Sequence, residues 1–473
     1  MKKLISLLAV LFLSIFLITI SYIQQSLNEC AEKNTKKKNE KMVEYIKPDL
    51  EYLDEYGLGS FETSLPVLYI DTKHQRLSKE NPVWASIAVL DSNVDGSENS
   101  IESVPDYSSP ITIKYRGASS YSGFDKAQYR IKFYKKADTD KEVNYNFLGM
   151  GSNSEWVLNG PFLDKTLIRN RMIYGMGKEI FDWAPDCRYT EVFVDGKYQG
   201  VYLAIEPVTN GESRLRLCEF GLLSGQTSYI VKRDRSNTEE DPLQVYGKLK
   251  GKTNNDLYID YPSQKKLTSQ QRDWITHDIS EFEKVLYSDE FADSTVGYAK
   301  YIDVDCFVDY YIFNEMMMNN DAGNLSTYIY KELGGKLQIT IWDYNNVFDN
   351  YQWFQQDFTE FYLQNNAWFS RLINDRAFVE KVEKRYKELR KGLFNTGTMY
   401  TTIDGYIEEL GPAIDRNFAI WGYTFQQNLL TIISENRDLN DYDSAIAQLK
   451  EAIGMRAEFL DEHITDLYDN CVN

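Results

Sequence analysis

The apolar pattern of this chain changes period part-way along, and that change limits the folds open to it. From Leu65 the runs PVLYIDT, WASIAVLD, SPITIKYRG and QYRIKFYKK alternate or are continuously apolar between turn residues, which is how strands read. RYTEVFVDGKYQGVYLAIEPV reads as a hairpin closed at Asp195-Gly196, and SYIVKRDR as a further strand. One helix interrupts the strands, from about Asp164 to Phe181, with Asp164 as its N-cap. After Leu267 the spacing turns helical in SQQRDWITHDISEFEKVLY, DVDCFVDYYIFNEMMM, AFVEKVEKRYKELRKGLF and AIAQLKEAIGMRAEFLDEHITDL. The expectation is an α+β chain with a β-rich region over 65–245 and a helical region over 246–473.

Two segments precede these regions. Leu4–Ile23 carries no charge, is almost wholly apolar and is long enough to span a bilayer as a helix. Residues 1–26 are therefore expected to form a membrane anchor in preference to the alternative, a cleaved signal, because Ser21-Tyr22-Ile23 and Gln24-Gln25 offer a poor exit site. The lysines on either side leave orientation divided, and the signal-like start favours an extracytoplasmic body, secreted if the segment is cleaved. Residues 27–64 are polar and charge-rich and read as a stalk.

Composition removes several function classes. The net charge of -19 argues against nucleic acid as a partner, since backbone phosphates need a basic surface. The five Cys have no metal spacing, and the three His lie near no Ser or Cys motif, which argues against a zinc site and a Ser-His-Asp hydrolase. There is no GxxxxGK, so a P-loop is excluded as a motif.

The segment Asn314–Asn350 carries the chemistry. An apolar helix over about Cys306–Met318 leads to Asp321; the strands STYIYKE and KLQITIWD, joined at Gly334-Gly335, lead to Asp343. Helix, Asp with a nearby Asn, hairpin and second Asp is the order of parts in kinase-like phosphotransferases: one carboxylate for the hydroxyl nucleophile, an amide and a second carboxylate for metal. The bland reading of Asp321 is a turn residue among Asn319, Asn320 and Gly323, and that of Asp343 a strand-end turn.

These pieces, together with YRGASSYSGFDKAQYRIKF, FLDKTLIRNRM, VFVDGKYQGVYLAIE, NNDAGNLSTYIYK and IWDYNNVFDN, resemble the CotH kinase family over roughly residues 65–425. The resemblance implies a divergent two-lobed protein-kinase-like fold, with the β-rich half first and the helical half second, preceded here by the membrane helix. It implies an atypical protein kinase that uses ATP with Mg²⁺ or Mn²⁺ to phosphorylate Ser or Thr of a surface or spore-coat protein. By that resemblance Asp321 is the catalytic carboxylate and Asp343 a metal ligand. Asn324 is the metal-binding amide, with Asn320 as the alternative because the Asp321–Asn324 interval is shorter than in familiar kinases. Asn345 stands where many members carry a second acid. Lys126 would neutralise nucleotide phosphates, with a solvated strand edge as its plain alternative. Arg116 and Ser119, in a Gly-Ser turn, would cover the phosphates. Glu206 would bind the ribose or a basic partner, or form a structural salt bridge. Arg169 and Asn170 are placed to reach the site from the side, and Trp342 and Phe348 to pack around the metal loop. A non-catalytic surface scaffold on the same fold is the competing reading, as is another phosphoryl or nucleotidyl transfer.

Overall fold

The computed structural model describes residues 44–59, 61–91, 98–139, 141–235, 240–351, 353–425 and 439–472. Seven strands close into a barrel: β1 (Val67–Asp71), β2 (Val83–Leu90), β3 (Tyr107–Tyr115), β4 (Tyr129–Phe133), β5 (Glu155–Asn159), β6 (Cys187–Val194) and β7 (Lys197–Ile205). Their order around the ring is β6-β7-β5-β4-β3-β2-β1. Every neighbouring pair is antiparallel except the closure, where β1 runs parallel to β6 with Val67 opposite Glu191 and Ile70 opposite Val194. The barrel interior is filled by the alternate residues of these strands, among them Leu68, Ile87, Ile111, Ile131, Trp156, Leu158 and Val192, all fully buried. At the closure, Asp195 accepts hydrogen bonds from the Thr72 backbone N–H (2.7 Å) and hydroxyl (2.5 Å).

A second, antiparallel sheet stands beside the barrel, in the order β9-β8-β10-β11: β8 is Tyr229–Asp234, β9 Asp256–Tyr261, β10 Thr327–Lys331 and β11 Gln338–Thr340. Four helices position the site. They are α1 (Arg169–Gly177), α2 (Val304–Met317), α3 (Ala413–Trp421) and α4 (Tyr442–His463). Helix α2 starts where the Asp303 carboxylate accepts the Cys306 N–H. It is apolar almost all round and buried, so it forms the spine of the larger core. It ends at Met318, which adopts the left-handed conformation (φ 57) and turns the chain toward Asp321.

The expected two-lobed fold is corrected by this architecture. The strands of the first half do not form an open β lobe; they close on themselves. The second sheet draws β8 from one side of residue 245 and β9, β10 and β11 from the other, and β8 pairs with both β9 and β10. Helix α3, from far down the chain, packs on the barrel: Arg416 pairs with Glu191 (2.8 Å), and Asn417 Oδ1 accepts the Val201 N–H (3.1 Å). Gly200 permits that approach (φ 91), since a Cβ there would lie 2.5 Å from Asn417 Oδ1. The expected membrane helix has no support among the described residues. Leu4–Ile23 lies outside the described residues, and among those no helix is long and apolar enough to cross a membrane.

One buried ion pair ties α2 to α4. Glu315 and Arg456, both fully buried, meet at 2.9 Å; Glu315 also accepts the Tyr362 and Leu363 N–H groups, and Arg456 reaches the carbonyls of Glu315, Phe358 and Glu360. Removing one partner strands the other charge in the core. Glu315→Ala is expected to lose about 3–5 kcal/mol in denaturant unfolding, and the double change Glu315→Leu with Arg456→Met to recover most of it.

Candidate active site

A cleft of about 820 Å³ opens between the barrel and the second sheet. The barrel supplies Arg116 after β3, Gln128 and Arg130 at β4, and Glu155 and Val157 on β5. The sheet supplies Lys232 and Asp234 on β8, Asp260 on β9 and Tyr328 on β10, and the connecting loops bring Asp321, Trp342, Asp343, Asn345 and Asn346. In a chain of net charge -19 the cleft gathers cations, Lys79, Lys114, Arg116, Arg130, Lys232 and Arg235, in equal number with its acids, Glu155, Asp234, Glu240, Asp260, Asp321 and Asp343.

Asp343 is held in a costly conformation. Its backbone is left-handed (φ 65), as are Phe348 (φ 52) and Asp349 (φ 56) further along the same loop, and each such residue stores about 1–3 kcal/mol. Helix α1 supplies the restraint. Tyr174 Oη accepts the Asp343 N–H (3.0 Å), Asn170 Oδ1 accepts the Tyr344 N–H (2.8 Å), and Arg169 donates to the carbonyls of Val347 (2.9 Å) and Phe348 (3.2 Å). Arg169 is itself fixed by Asp164 (2.7 Å), which also accepts the Arg169 N–H. The Asp343 carboxylate has no hydrogen-bond or ion-pair partner among the described residues and faces the cleft. Burial raises its pKa; Arg116 and Arg235 act against that, and Asp234 adds to it.

Asp321 sits in a turn after α2 whose N–H is held by Asn319 Oδ1 (3.1 Å). Tyr351 Oη donates to Asp321 Oδ1 at 3.4 Å. Burial, and then the nearby Asp343, push its carboxyl up to about 6, against the pull of Arg235. The two loops share one polar hub. Asn314 Oδ1 accepts from Tyr344 Oη (2.7 Å) and from Asn319 Nδ2 (2.8 Å), while Asn314 Nδ2 holds the Tyr310 carbonyl (2.8 Å).

The structure brings together only some of the residues singled out in the sequence. Asp321, Asp343, Asn345 and Arg116 line the cleft, and Arg116 stands over the Trp342 ring with its guanidinium carbon 5.6 Å from the centroid while donating to Gln128. Asn345 Nδ2 donates to Asn346 (3.0 Å). Asn324 lies in the Asp321 turn, its N–H on the Asp321 carbonyl, and is not among the cleft residues; Asn320 is bonded to Gln356. Ser119 opens the short helix Ser119–Gly123, from which Ser120 reaches the cleft. Gly117 makes that lip possible, because at φ 99 a Cβ would lie 1.9 Å from Ser120 Oγ.

Lys126 and Glu206 are elsewhere. The Lys126 ammonium is fully buried, donating to the Val201 carbonyl (2.8 Å) and Asn417 Oδ1 (2.7 Å) between the Tyr202 and Trp421 rings. Burial, with Lys165 close by, pulls its pKa well down. It bolts the end of the 116–124 lip to α3, and Asp125 accepts from Tyr423 in the turn just beyond that helix (2.7 Å). Glu206 is buried against Arg214 and accepts the Asp186 N–H (2.9 Å), the structural salt bridge rather than a ligand contact. The sequence reading missed Asp234, Arg235, Lys232 and Asp260. The available signal was the alternation of Lys232 and Asp234 at the end of SYIVKRDR, which places both on one sheet face.

A family model described as CotH kinase protein matches residues 113–460, which takes in β4 to β7 of the barrel, the second sheet and both carboxylate loops. The chain belongs to the CotH kinase protein family. It is 22% identical over 367 residues, 76% of this chain and 88% of the other, to the inner spore coat protein H of Bacillus subtilis (strain 168). The matched span contains Asp321 and Asp343 in a single CotH domain.

The Asp321 environment predicts a stability effect. Its folded pKa, about 6, lies above the ordinary 3.8, so the folded state holds the proton more tightly. That contribution is complete below pH 3.8 and is lost as pH rises through 6. Asp321→Asn removes the buried charge, so it should raise stability above pH 6 by up to about 3 kcal/mol and change little near pH 4. Melting temperatures of the two proteins across that range check this.

Proposed function

We propose that this CotH-family chain is a protein kinase that transfers the γ-phosphoryl group of ATP to Ser or Thr of another protein. One observation carries the reading. A strained, unpartnered carboxylate, Asp343, opens into the same cleft as a second carboxylate, Asp321, with Arg116 and Arg235 beside them. Strain and an unsatisfied charge are retained together where a ligand uses them.

The donors suit Mg²⁺ or Mn²⁺, hard cations that take oxygen ligands and complete their shell with phosphates and water. Among the described residues no group of three or more His, Cys, Asp or Glu side chains forms a metal cage, which agrees with a cation brought in with the nucleotide. Asp343 would hold that cation, and Asn345, whose amide nitrogen is engaged with Asn346, would offer its Oδ1. The cation neutralises the charge on the transferring phosphates. Arg116 and Arg235 would bind phosphate oxygens from opposite sides, and the backbone of the Gly117 lip would cover them. Asp321 would orient the acceptor hydroxyl and take its proton late in transfer. Its raised pKa sets the lower limit of activity, with the rate rising as pH passes about 6.

Membership of the CotH kinase protein family and the likeness to a spore coat protein support a protein acceptor and a spore-coat or surface location. Net charge -19 disfavours nucleic acid as a partner. A binding module without catalysis is the second reading, favoured by Asn345, which leaves Asp343 as the one acid of the IWDYN motif.

The readings separate by calorimetry with ATP and Mg²⁺ and by transfer of labelled phosphate. Asp343→Ala should abolish both nucleotide binding and transfer. Asp321→Asn should keep binding nearly intact and cut transfer by about 10²-fold or more. Asn345→Asp should tighten Mg²⁺ binding. Tyr174→Phe, which removes the acceptor for the Asp343 N–H, should weaken Mg²⁺-dependent ATP binding by about tenfold. A wild-type protein that binds no ATP at millimolar concentration with Mg²⁺ or Mn²⁺ excludes the kinase.

A further inference from the structure

Asp260 stands out among the cleft residues because the sheet goes out of its way to present it. In the β8–β9 pairing, Ile230 lies opposite Tyr261 and Val231 opposite Ile259, so Asp260 faces no residue of β8. It is the extra residue of a β-bulge, a device that re-aims a side chain next to functional sites. Its neighbour Ile259 stays in the core while the Asp260 carboxylate lines the cleft.

That carboxylate has no hydrogen-bond or ion-pair partner among the described residues. The nearest cations are already engaged. Arg130 pairs with Glu155, and Lys232 with Glu240 (3.1 Å). With those cations neutralised by Glu155 and Glu240, the carboxylate is left as an open acceptor at the cleft. It suits neutral donors, and hydroxyl groups are the simplest.

Position narrows the choice. The charged neighbours of Asp343 are Arg116, Asp234 and Arg235; those of Asp260 are Lys232, Arg130, Glu155 and Glu240. The Tyr328 phenol is influenced by Asp234 and Arg116 from the first set, by Arg130 from the second and by Asp260 itself, so it lies between. Beyond Glu155 on β5 come Val157 and the Pro207–Thr209 segment, an apolar wall at the same cleft. Phosphates at the Asp343 end and a flat base against Val157 and Pro207 leave the sugar over Asp260. We propose that Asp260 recognises the vicinal hydroxyls of the ribose, taking the place the sequence suggested for Glu206. This rests on the nucleotide reading above.

The test is calorimetry of ATP, 2′-deoxy-ATP and 3′-deoxy-ATP, with Mg²⁺, on wild type, Asp260→Ala and Asp260→Asn. Wild type should bind ATP about tenfold more tightly than either deoxy analogue, the value of a hydrogen bond to a charged acceptor. Asp260→Ala should bind all three alike, and Asp260→Asn should discriminate to an intermediate degree. Both variants should melt no lower than wild type, because the carboxylate has no protein partner to lose; if Asp260→Ala does not fold, Asp260→Asn gives the answer. Discrimination retained at the wild-type level in either variant, or absent from a wild type that binds ATP, overturns the role of Asp260 and leaves the kinase proposal standing. A wild type that binds no ATP overturns both.

Discussion

The two carboxylate loops depend on one buried amide. Asn314, on the last turn of α2, has no exposed surface, and its Oδ1 takes a hydrogen bond from each side. Tyr344 approaches from the loop of Asp343 and Asn319 from the turn of Asp321. An unmet amide at this depth would cost about 1–3 kcal/mol, so neither loop can move away without leaving the hub unsatisfied. The spacing of the two acids is thereby fixed by a group that touches neither of them. The Phe348 N–H on the Met317 carbonyl (3.1 Å) adds a backbone tie between the same two segments.

Around this hub the molecule concentrates its unfavourable features and offsets them at a distance. Left-handed backbone at Asp343, two acids driven toward protonation and an unpaired Asp260 all lie at the cleft. Three buried ion pairs lie away from it, at Glu315–Arg456, Asp164–Arg169 and Glu191–Arg416. Each of these three ties a helix to the element it supports. A site that carries strain needs rigid surroundings, and these pairs supply the rigidity.

What could be read from the sequence follows the range of the interactions. Asp321 and Asp343 were legible because one helix and one tight hairpin fix their separation locally. Lys126 was not: its partner Asn417 lies 291 residues away, and a lysine before a strand looks the same whether it meets phosphate or a distant amide. Glu206 failed for a similar reason, since Arg214 sits in a segment with no periodicity to place it. Asp260 could not be found because a bulge breaks the alternation from which strand faces are read. Barrel closure was hidden too, because alternation shows that a strand has an inside without showing that the sheet bends round to meet itself.

The parallel seam between β1 and β6 has a consequence for how the protein is made. A ring with an odd number of members cannot alternate in direction all the way round, so seven strands must include at least one like-directed pair. The chain has placed that pair between its first and sixth strands, and Asp195 clasps Thr72 across 123 residues. During synthesis β1 can pair with β2 at once, yet its other edge stays bare until β6 has left the ribosome. Loop-closure entropy makes so distant a join slow. The barrel is therefore an object that finishes late, and its birth order exposes an adhesive edge that the mature protein no longer has.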